Sequence, residues 1–146
     1  MTARRQVVEL KIPCDPKFLS VVRLTVAGLA VRAEPEFTVD DVEDVKVSVT
    51  EACTNVIDHA FPPNPSDEAQ HFITVRCTLE RGGLTVEVSD CGCGFDLATL
   101  PAETEHGVPG ESGLGVPLMR SLMDEVQFEG GPGRGTTVTM HKRPAR

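Results

Sequence analysis

The 146-residue sequence contains no tryptophan and no tyrosine, and six phenylalanines supply all of its aromatic side chains. Proteins that bind single-stranded nucleic acid stack the bases on aromatic side chains, so this composition argues against that function. The formal net charge of -8 argues further against a nucleic-acid partner, because a phosphate backbone is bound by a basic surface. We therefore expect no nucleic acid among the partners.

Long apolar runs and paired cysteines are also missing. The longest apolar stretch, around Val21 to Val31, is interrupted by Arg23 and is too short to cross a bilayer, so we expect no membrane association. The five cysteines are an odd number without a CxxC pair, which predicts reduced thiols and a cytoplasmic location. Cys91 and Cys93 could form half of a zinc site, but no second cluster has the matching spacing.

The length of 146 residues, with no internal repeat and no separating linker, predicts a single domain over residues 1–146. Thr38 and Asp41 resemble a capping box that begins a long amphipathic helix, and Phe61-Pro-Pro ends it. Gly82-Gly83 is predicted to be the two-residue turn of a β-hairpin. Residues 96–112 have no clear period and predict a mobile lid. Further strands are predicted over 7–12, 73–79, 84–90, 126–129 and 136–141, with further helices over 16–33 and after residue 115.

This order of elements favours an α+β two-layer sandwich. The helices would pack on one face of a mixed, mostly antiparallel sheet. In such a sheet Asp90 shares the phase of the apolar residues of its strand, so its carboxylate is predicted to point inward where the strand ends.

Glu51, Asn55 and His59 follow one another at four-residue steps and therefore lie on one face of the long helix. One interpretation is a solvated helix face with a hydrogen bond between Asn55 and His59. The other is a functional stripe, in which Asn55 offers a neutral oxygen to Mg²⁺ and Glu51 accepts a proton from an attacking hydroxyl or water. His59 would then orient the stripe.

Asp90 begins a second polar motif. A buried carboxylate requires hydrogen bonds, which a turn can supply. A carboxylate is also an acceptor suited to the exocyclic amine of adenine, and Gly92 and Gly94 would let the backbone approach the purine. Both interpretations fit the sequence of this motif taken alone.

The third motif, Ser112-Gly113-Leu114-Gly115, precedes the short helix. It offers unpaired N–H groups and the positive end of a helix dipole to an anion. A plain glycine-rich helix start is the alternative.

Taken in order, these motifs resemble the N, G1 and G2 boxes of the GHKL (Bergerat-fold, histidine-kinase-like) ATPases. Within that superfamily the chain is similar, from about Val7 to Lys142, to the small anti-sigma factor serine kinases of bacteria. The matching segments are Glu51-x-x-x-Asn55-x-x-x-His59, Asp90-x-Gly92-x-Gly94-Phe95-Asp96, Ser112-Gly113-Leu114-Gly115, Leu122-Met123-Asp124-Glu125-Val126 and Gly135-Thr136.

The resemblance implies a role for each of these residues. Glu51 would be the catalytic base, Asn55 the Mg²⁺ ligand and Asp90 the residue that reads adenine. The ATP-binding set that it implies is Asn55, His59, Asp90, Gly92, Gly94, Ser112, Gly113, Leu114, Gly115 and Thr136.

The resemblance also implies an activity. Such proteins use ATP and Mg²⁺ to phosphorylate a serine of an anti-sigma factor antagonist, a STAS-type protein, and they sequester a sigma factor, commonly as homodimers. Glu111 departs from the pattern, because members often carry a basic residue just before the Ser-Gly-x-Gly run. A second interpretation is therefore an ATP-binding regulatory module that binds a partner without phosphorylating it. The catalytic domain of a histidine kinase is a third, weaker interpretation.

Overall fold

One five-stranded antiparallel sheet organises the computed structural model, which describes residues 5–59, 71–90, 115–131 and 135–144. The spatial order of its strands is β1-β2-β3-β5-β4, so the last strand in the sequence lies inside the sheet. All four pairings are antiparallel, in agreement with the mostly antiparallel sheet that was predicted. The strands are β1 (Gln6–Pro13), β2 (Phe72–Glu80), β3 (Gly83–Asp90), β4 (Glu125–Gly131) and β5 (Gly135–Lys142).

Three α-helices of the described residues complete the α+β sandwich: α1 (Leu19–Ala30), α2 (Val39–His59) and α3 (Gly115–Leu122). The apolar phases of the inner strands are buried against α1 and α2, and α2 also packs against α1 and α3. Within the described part of the chain, each helix is too short or too polar to span a lipid bilayer. The largest fully buried side chains of the core are Val22, Val26, Val45, Val49, Cys53, Ile73, Val75, Leu84, Val86, Val88, Met119 and Met140.

The start of α2 has the capping box that the sequence predicts. The Thr38 amide donates to Asp41 Oδ2 at 2.9 Å, and the Asp41 amide donates to Thr38 Oγ1 at 3.0 Å. The first helix differs from its prediction over 16–33. Asp15 accepts from the Lys17 amide as an N-cap, but a short 3-10 turn comes first and α1 ends at Ala30.

The position of the β2–β3 turn was predicted wrongly by one residue. Glu80 pairs with Gly83, so the two turn residues are Arg81 and Gly82. Gly83 belongs to the ladder instead, where a Cβ would clash with the carbonyl oxygen of Lys142 on β5. This glycine allows two strands to approach closely, a requirement that the sequence of the hairpin alone does not reveal.

Lys142, at the end of β5, joins three elements. Its ammonium donates to the carbonyl oxygen of Leu122 at 2.6 Å, which caps the C-terminal end of α3. The same group lies 3.2 Å from Asp44 and 3.9 Å from Asp41 in the first turns of α2. The Lys142 side chain is only 12% exposed, so solvent screens these contacts weakly.

Replacing Lys142 with methionine should therefore lower the free energy of unfolding by about 2–3 kcal/mol, because two carboxylates and a helix-end carbonyl lose a shared, poorly solvated partner. Lys46→Met is the matched control. Lys46 pairs with Glu43 at 2.9 Å on a more exposed helix surface, where an ion pair contributes about 0.5 kcal/mol. Urea denaturation of both variants measures the difference. Equal losses of unfolding free energy would contradict the larger contribution proposed for Lys142.

Candidate functional site

Asp90 and Thr136 meet where β3 ends and β5 begins. Both residues are buried, with exposures of 7% and 3%. The backbone N–H of Thr136 donates to Asp90 Oδ2 at 3.0 Å, which fixes one oxygen of the carboxylate. The inward phase predicted for Asp90 is confirmed. The contact arises because β5 lies next to β3 in the sheet although α3 and β4 separate them in the sequence.

Gly135 makes this close approach possible. Its φ is +74°, in the left-handed region that glycine adopts without strain. A Cβ at this position would come within 2.5 Å of the Asp90 carbonyl oxygen. The Gly135-Thr136 pair therefore supplies the backbone conformation and the amide that hold Asp90.

The polar stripe of α2 is only partly solvated. Asn55 is 2% exposed, and Glu51 lies half-buried one helical turn earlier. Asn55 Nδ2 is buried and has no hydrogen-bond partner in the described part of the chain. The hydroxyl of Ser48, two turns before Asn55 on the same face, is also buried and unpartnered there. An unpaired buried polar group costs about 1–3 kcal/mol, so a solvated helix face does not describe this stripe.

Burial raises the pKa of Glu51 above the ordinary value of 4.5, and the negative charge of Asp58 raises it further. Asp58 lies seven residues later on α2, which places it near the same helix face. A carboxylate with a raised pKa binds a proton more readily than an ordinary glutamate. Glu51 is thus suited to accept a proton from a hydroxyl group.

Cys14 is a neighbour of the site that the sequence analysis did not single out. Burial, followed by the charges of Asp90, Asp15 and Asp58, raises the pKa of its thiol to about 11. The thiol is therefore neutral at physiological pH. Because Asp58 and Asp90 both act on Cys14, the C-terminal end of α2 and the end of β3 lie at the same end of the molecule.

The described part of the chain fits a magnesium ion that takes most of its ligands from water and phosphate. It contains no group of three or more His, Cys, Asp or Glu side chains that could hold a metal by themselves. Mg²⁺ usually keeps several waters and binds few protein oxygens together with phosphates. Asn55 fits that role, because its oxygen suits the cation and its Nδ2, which has no partner in the described residues, can donate to a phosphate.

Several predicted site residues lie outside the described residues. Gly115 is the first residue of α3, and the backbone of His59 ends α2, but the His59 side chain is not part of the description. The remaining ones are Cys91, Gly92, Cys93, Gly94, Glu111, Ser112, Gly113, Leu114 and the predicted lid over residues 96–112.

Comparison with known proteins gives consistent results. The profile of the histidine kinase-like ATPase domain matches residues 12–142. The serine-protein kinase RsbW of Bacillus velezensis is 39% identical over 142 residues, covering 92% of this chain and 84% of that protein. The serine-protein kinase RsbW of Bacillus subtilis is 36% identical with the same coverage.

Solved structures show the same fold. The RsbU and RsbW domains of Rv1364c from Mycobacterium tuberculosis align with a TM-score of 0.65 and 19% identity, over 97% of this chain and 33% of that one. The histidine kinase domain of a blue-light activated kinase from Erythrobacter litoralis aligns with a TM-score of 0.55 and 23% identity, over 90% of this chain and 61% of that one.

The raised pKa of Glu51 predicts a pH-dependent gain in stability for Glu51→Gln. The folded state disfavours the ionised form of Glu51. The resulting contribution to stability is therefore fully present below the ordinary pKa of 4.5, where Glu51 is neutral. It is lost as the pH rises through the raised pKa. Glu51→Gln should therefore unfold at higher urea concentration than the wild type near neutral pH.

The difference should vanish as pH falls below the ordinary value, where both side chains are neutral. Urea midpoints measured from about pH 4 to about pH 8 test this. In an Asp58→Asn background the gain should shrink, because one of the two causes of the shift is removed. A gain that is independent of pH would show that ionisation of Glu51 is not its source.

Proposed function

Because the chain belongs to the family of histidine kinase-like ATPase domains, and within it to the anti-sigma factor serine-protein kinases, we propose that it phosphorylates a partner protein. The γ-phosphate of ATP passes to one serine of an anti-sigma factor antagonist of the STAS type, and the same protein sequesters a sigma factor. Relatives named serine-protein kinase match most of this chain in sequence. Their activity favours phosphoryl transfer over binding alone.

The observation that carries the proposal is the pair of polar side chains, Asn55 and Glu51, on one face of α2. Asn55, whose buried Nδ2 has no partner among the described residues, lies one turn from Glu51, whose pKa is raised by burial. Protein folding rarely leaves an amide unsatisfied at 2% exposure unless a ligand completes it. These two groups are what a nucleotide–metal complex and a proton-donating hydroxyl require.

Each described site residue has a place in this proposal. Asn55 holds Mg²⁺, which when bound neutralises charge on the phosphates of ATP. Glu51 accepts the proton of the attacking serine hydroxyl. Asp90, held by the Thr136 amide, accepts a hydrogen bond from the exocyclic amine of adenine.

The remaining residues of the proposed ATP site come from the motif resemblance. They are His59, Gly92, Gly94, Ser112, Gly113, Leu114 and Gly115, and the N-terminus of α3 would face the phosphates.

We further propose a homodimer that acts in the cytoplasm, where a sigma factor is available. The edge strand β1 supports a dimer, since its outer edge is unpaired in the described sheet. Val7 and Val8 on this strand are 44% and 36% exposed, and apolar side chains on an edge strand favour association.

A transfer assay tests the kinase. The purified antagonist, ATP and Mg²⁺ should give a label on one serine, and Glu51→Gln should lower the rate by at least about 100-fold because the proton acceptor is lost. ATP affinity should stay near the wild-type value, because Glu51 acts on the hydroxyl and not on the nucleotide. No label with the wild-type protein, or equal rates for the two proteins, would overturn the assignment.

Asn55→Ala should separate stability from ligand binding. The free energy of unfolding without ligand should stay the same or rise, because the buried Nδ2 has no partner in the described chain to lose and alanine favours the helix. Wild-type protein at 100 times the dissociation constant of Mg²⁺–ATP should gain about 2.7 kcal/mol, and Asn55→Ala should lose most of this gain.

Ser48→Ala is the matched control for Asn55→Ala. It removes another buried polar group that lacks a partner among the described residues, from the same helix face, and should keep the ligand-dependent gain. Thermal unfolding with and without Mg²⁺–ATP measures both variants. If Asn55→Ala kept the full gain, Asn55 would not be the metal ligand.

A further inference from the structure

The end of β5 holds the C-terminal end of α3 through three contacts. Lys142 Nζ donates to the carbonyl oxygen of Leu122 at 2.6 Å. The Asp124 amide donates to the carbonyl oxygen of His141 at 2.9 Å, and Asp124 Oδ2 accepts from the Arg143 amide at 2.6 Å. A helix of eight residues is too short to be stable by itself in water, so its position depends on such contacts.

Lys142 differs from the other two contacts because it also reaches α2. Its ammonium lies 3.2 Å from Asp44 and 3.9 Å from Asp41, and its side chain is only 12% exposed. Moving either helix end from this poorly solvated cation would leave charged groups without their partner, which is unfavourable. One side chain thus ties the C-terminal end of α3 to the start of α2.

The two helices run antiparallel. α3 packs along α2, and its last carbonyl lies beside the first turns of α2. At about 1.5 Å per residue, the eight residues of α3 extend about 12 Å from this point. The same distance along α2 leads from Asp44 to about Ala52, between Glu51 and Asn55. The N-terminus of α3 therefore lies level with the polar pair of α2.

We propose that Lys142 is a positioning residue for the phosphates of the nucleotide. It holds the C-terminal end of α3 against the start of α2, and the helix transmits this position to its N-terminus. The inference rests on the proposed function, in which that N-terminus faces the phosphates while Asn55 holds Mg²⁺. Lys142 acts through α3 and not by contact with the nucleotide.

The loss of Lys142 should affect one half of the nucleotide. The apolar side chains of α3, such as Val116 and Met119, stay buried, but the helix axis can tilt about them. Its N–H groups then point less directly at the phosphates, and hydrogen bonds weaken as they bend. The contact between Asp90 and Thr136, where adenine is read, is unchanged.

Lys142→Met should therefore raise the dissociation constant of Mg²⁺–ATP and the KM for ATP about tenfold. The kcat at saturating ATP should fall less than about threefold, because Glu51 is intact and the lost interaction holds substrate and transition state alike. The dissociation constant of adenosine, measured by competition with a fluorescent nucleotide, should change less than about twofold. Titration calorimetry and steady-state assays with the purified antagonist measure the other values.

Val22→Ala separates positioning from lost stability. Val22 is fully buried on α1, and its truncation should cost a free energy of unfolding comparable to that of Lys142→Met. All assays use a temperature at which both variants are folded, as thermal unfolding shows. Val22→Ala should keep the wild-type KM. A similar rise in both variants, an unchanged KM in Lys142→Met, or an equal loss of adenosine affinity would overturn the positioning role.

A milder variant tests the link to α2. Asp44→Asn removes the nearer carboxylate and leaves the bond from Lys142 to Leu122 in place. The KM for ATP should rise about threefold. Asp40→Asn is the matched control, because Asp40 also lies near the start of α2 while Lys142 pairs with Asp41 and Asp44.

The double variant shows whether the two residues act as one link. Lys142→Met with Asp44→Asn should raise the KM no further than Lys142→Met alone, because either change breaks the same connection. Effects that multiply, or equal KM values for Asp44→Asn and Asp40→Asn, would overturn the link. Asp44→Asn also keeps the test decisive if Lys142→Met fails to fold.

Failure of the proposed function gives a different pattern. A wild type without affinity for Mg²⁺–ATP overturns both proposals. A wild type that binds Mg²⁺–ATP and transfers no phosphate overturns the kinase alone, and the dissociation constants then decide the role of Lys142. Transfer by the wild type with an unchanged KM in Lys142→Met overturns only the positioning role.

Discussion

The structure depends on the hydrogen bond between the Thr136 amide and Asp90. A carboxylate at 7% exposure is tolerated only with donors around it, and the backbone of a neighbouring strand provides one at 3.0 Å. The contact is possible because β5 lies beside β3, and it demands a glycine at position 135. The same bond orients the Asp90 carboxylate at the end of the molecule where α2 also ends. The position of Asp90 in the proposed nucleotide site therefore depends on the pairing of β3 with β5.

The sequence predicted those features that local chemistry determines. Thr38 and Asp41 are three residues apart, so their reciprocal capping could be inferred without knowledge of the fold. The inward direction of Asp90 follows from the two-residue period of its own strand. Both predictions are confirmed because neither requires a partner from elsewhere in the chain.

The features that the sequence did not predict involve contacts between distant segments. Gly83 was assigned to a turn, but it lies in the ladder, where its φ of +146° and the close approach of Lys142 on β5 both favour glycine. The neutral thiol of Cys14 near Asp90 and the buried hydroxyl of Ser48 gave no periodic signal. The hydrogen bond from the Thr136 amide to Asp90 was also not predicted. A backbone amide can donate a hydrogen bond regardless of which side chain its residue carries, so the residue type gives no signal. Such contacts depend on the sheet order, which periodicity alone does not determine.

The position of β5 also has a consequence for the order in which the strands can pair during synthesis. The ribosome synthesises β1, β2 and β3 before β5, and β3 can pair only with β2 until β5 has emerged. During that interval the free edge of β3 and the apolar side chains of Leu84, Val86 and Val88 lack their final neighbours. Pairing over such a sequence separation is slow to form and exposes the nascent chain to aggregation. The last strand thus completes the interior of the sheet and the surroundings of Asp90 in a single step, so a chain synthesised only through β4 lacks both.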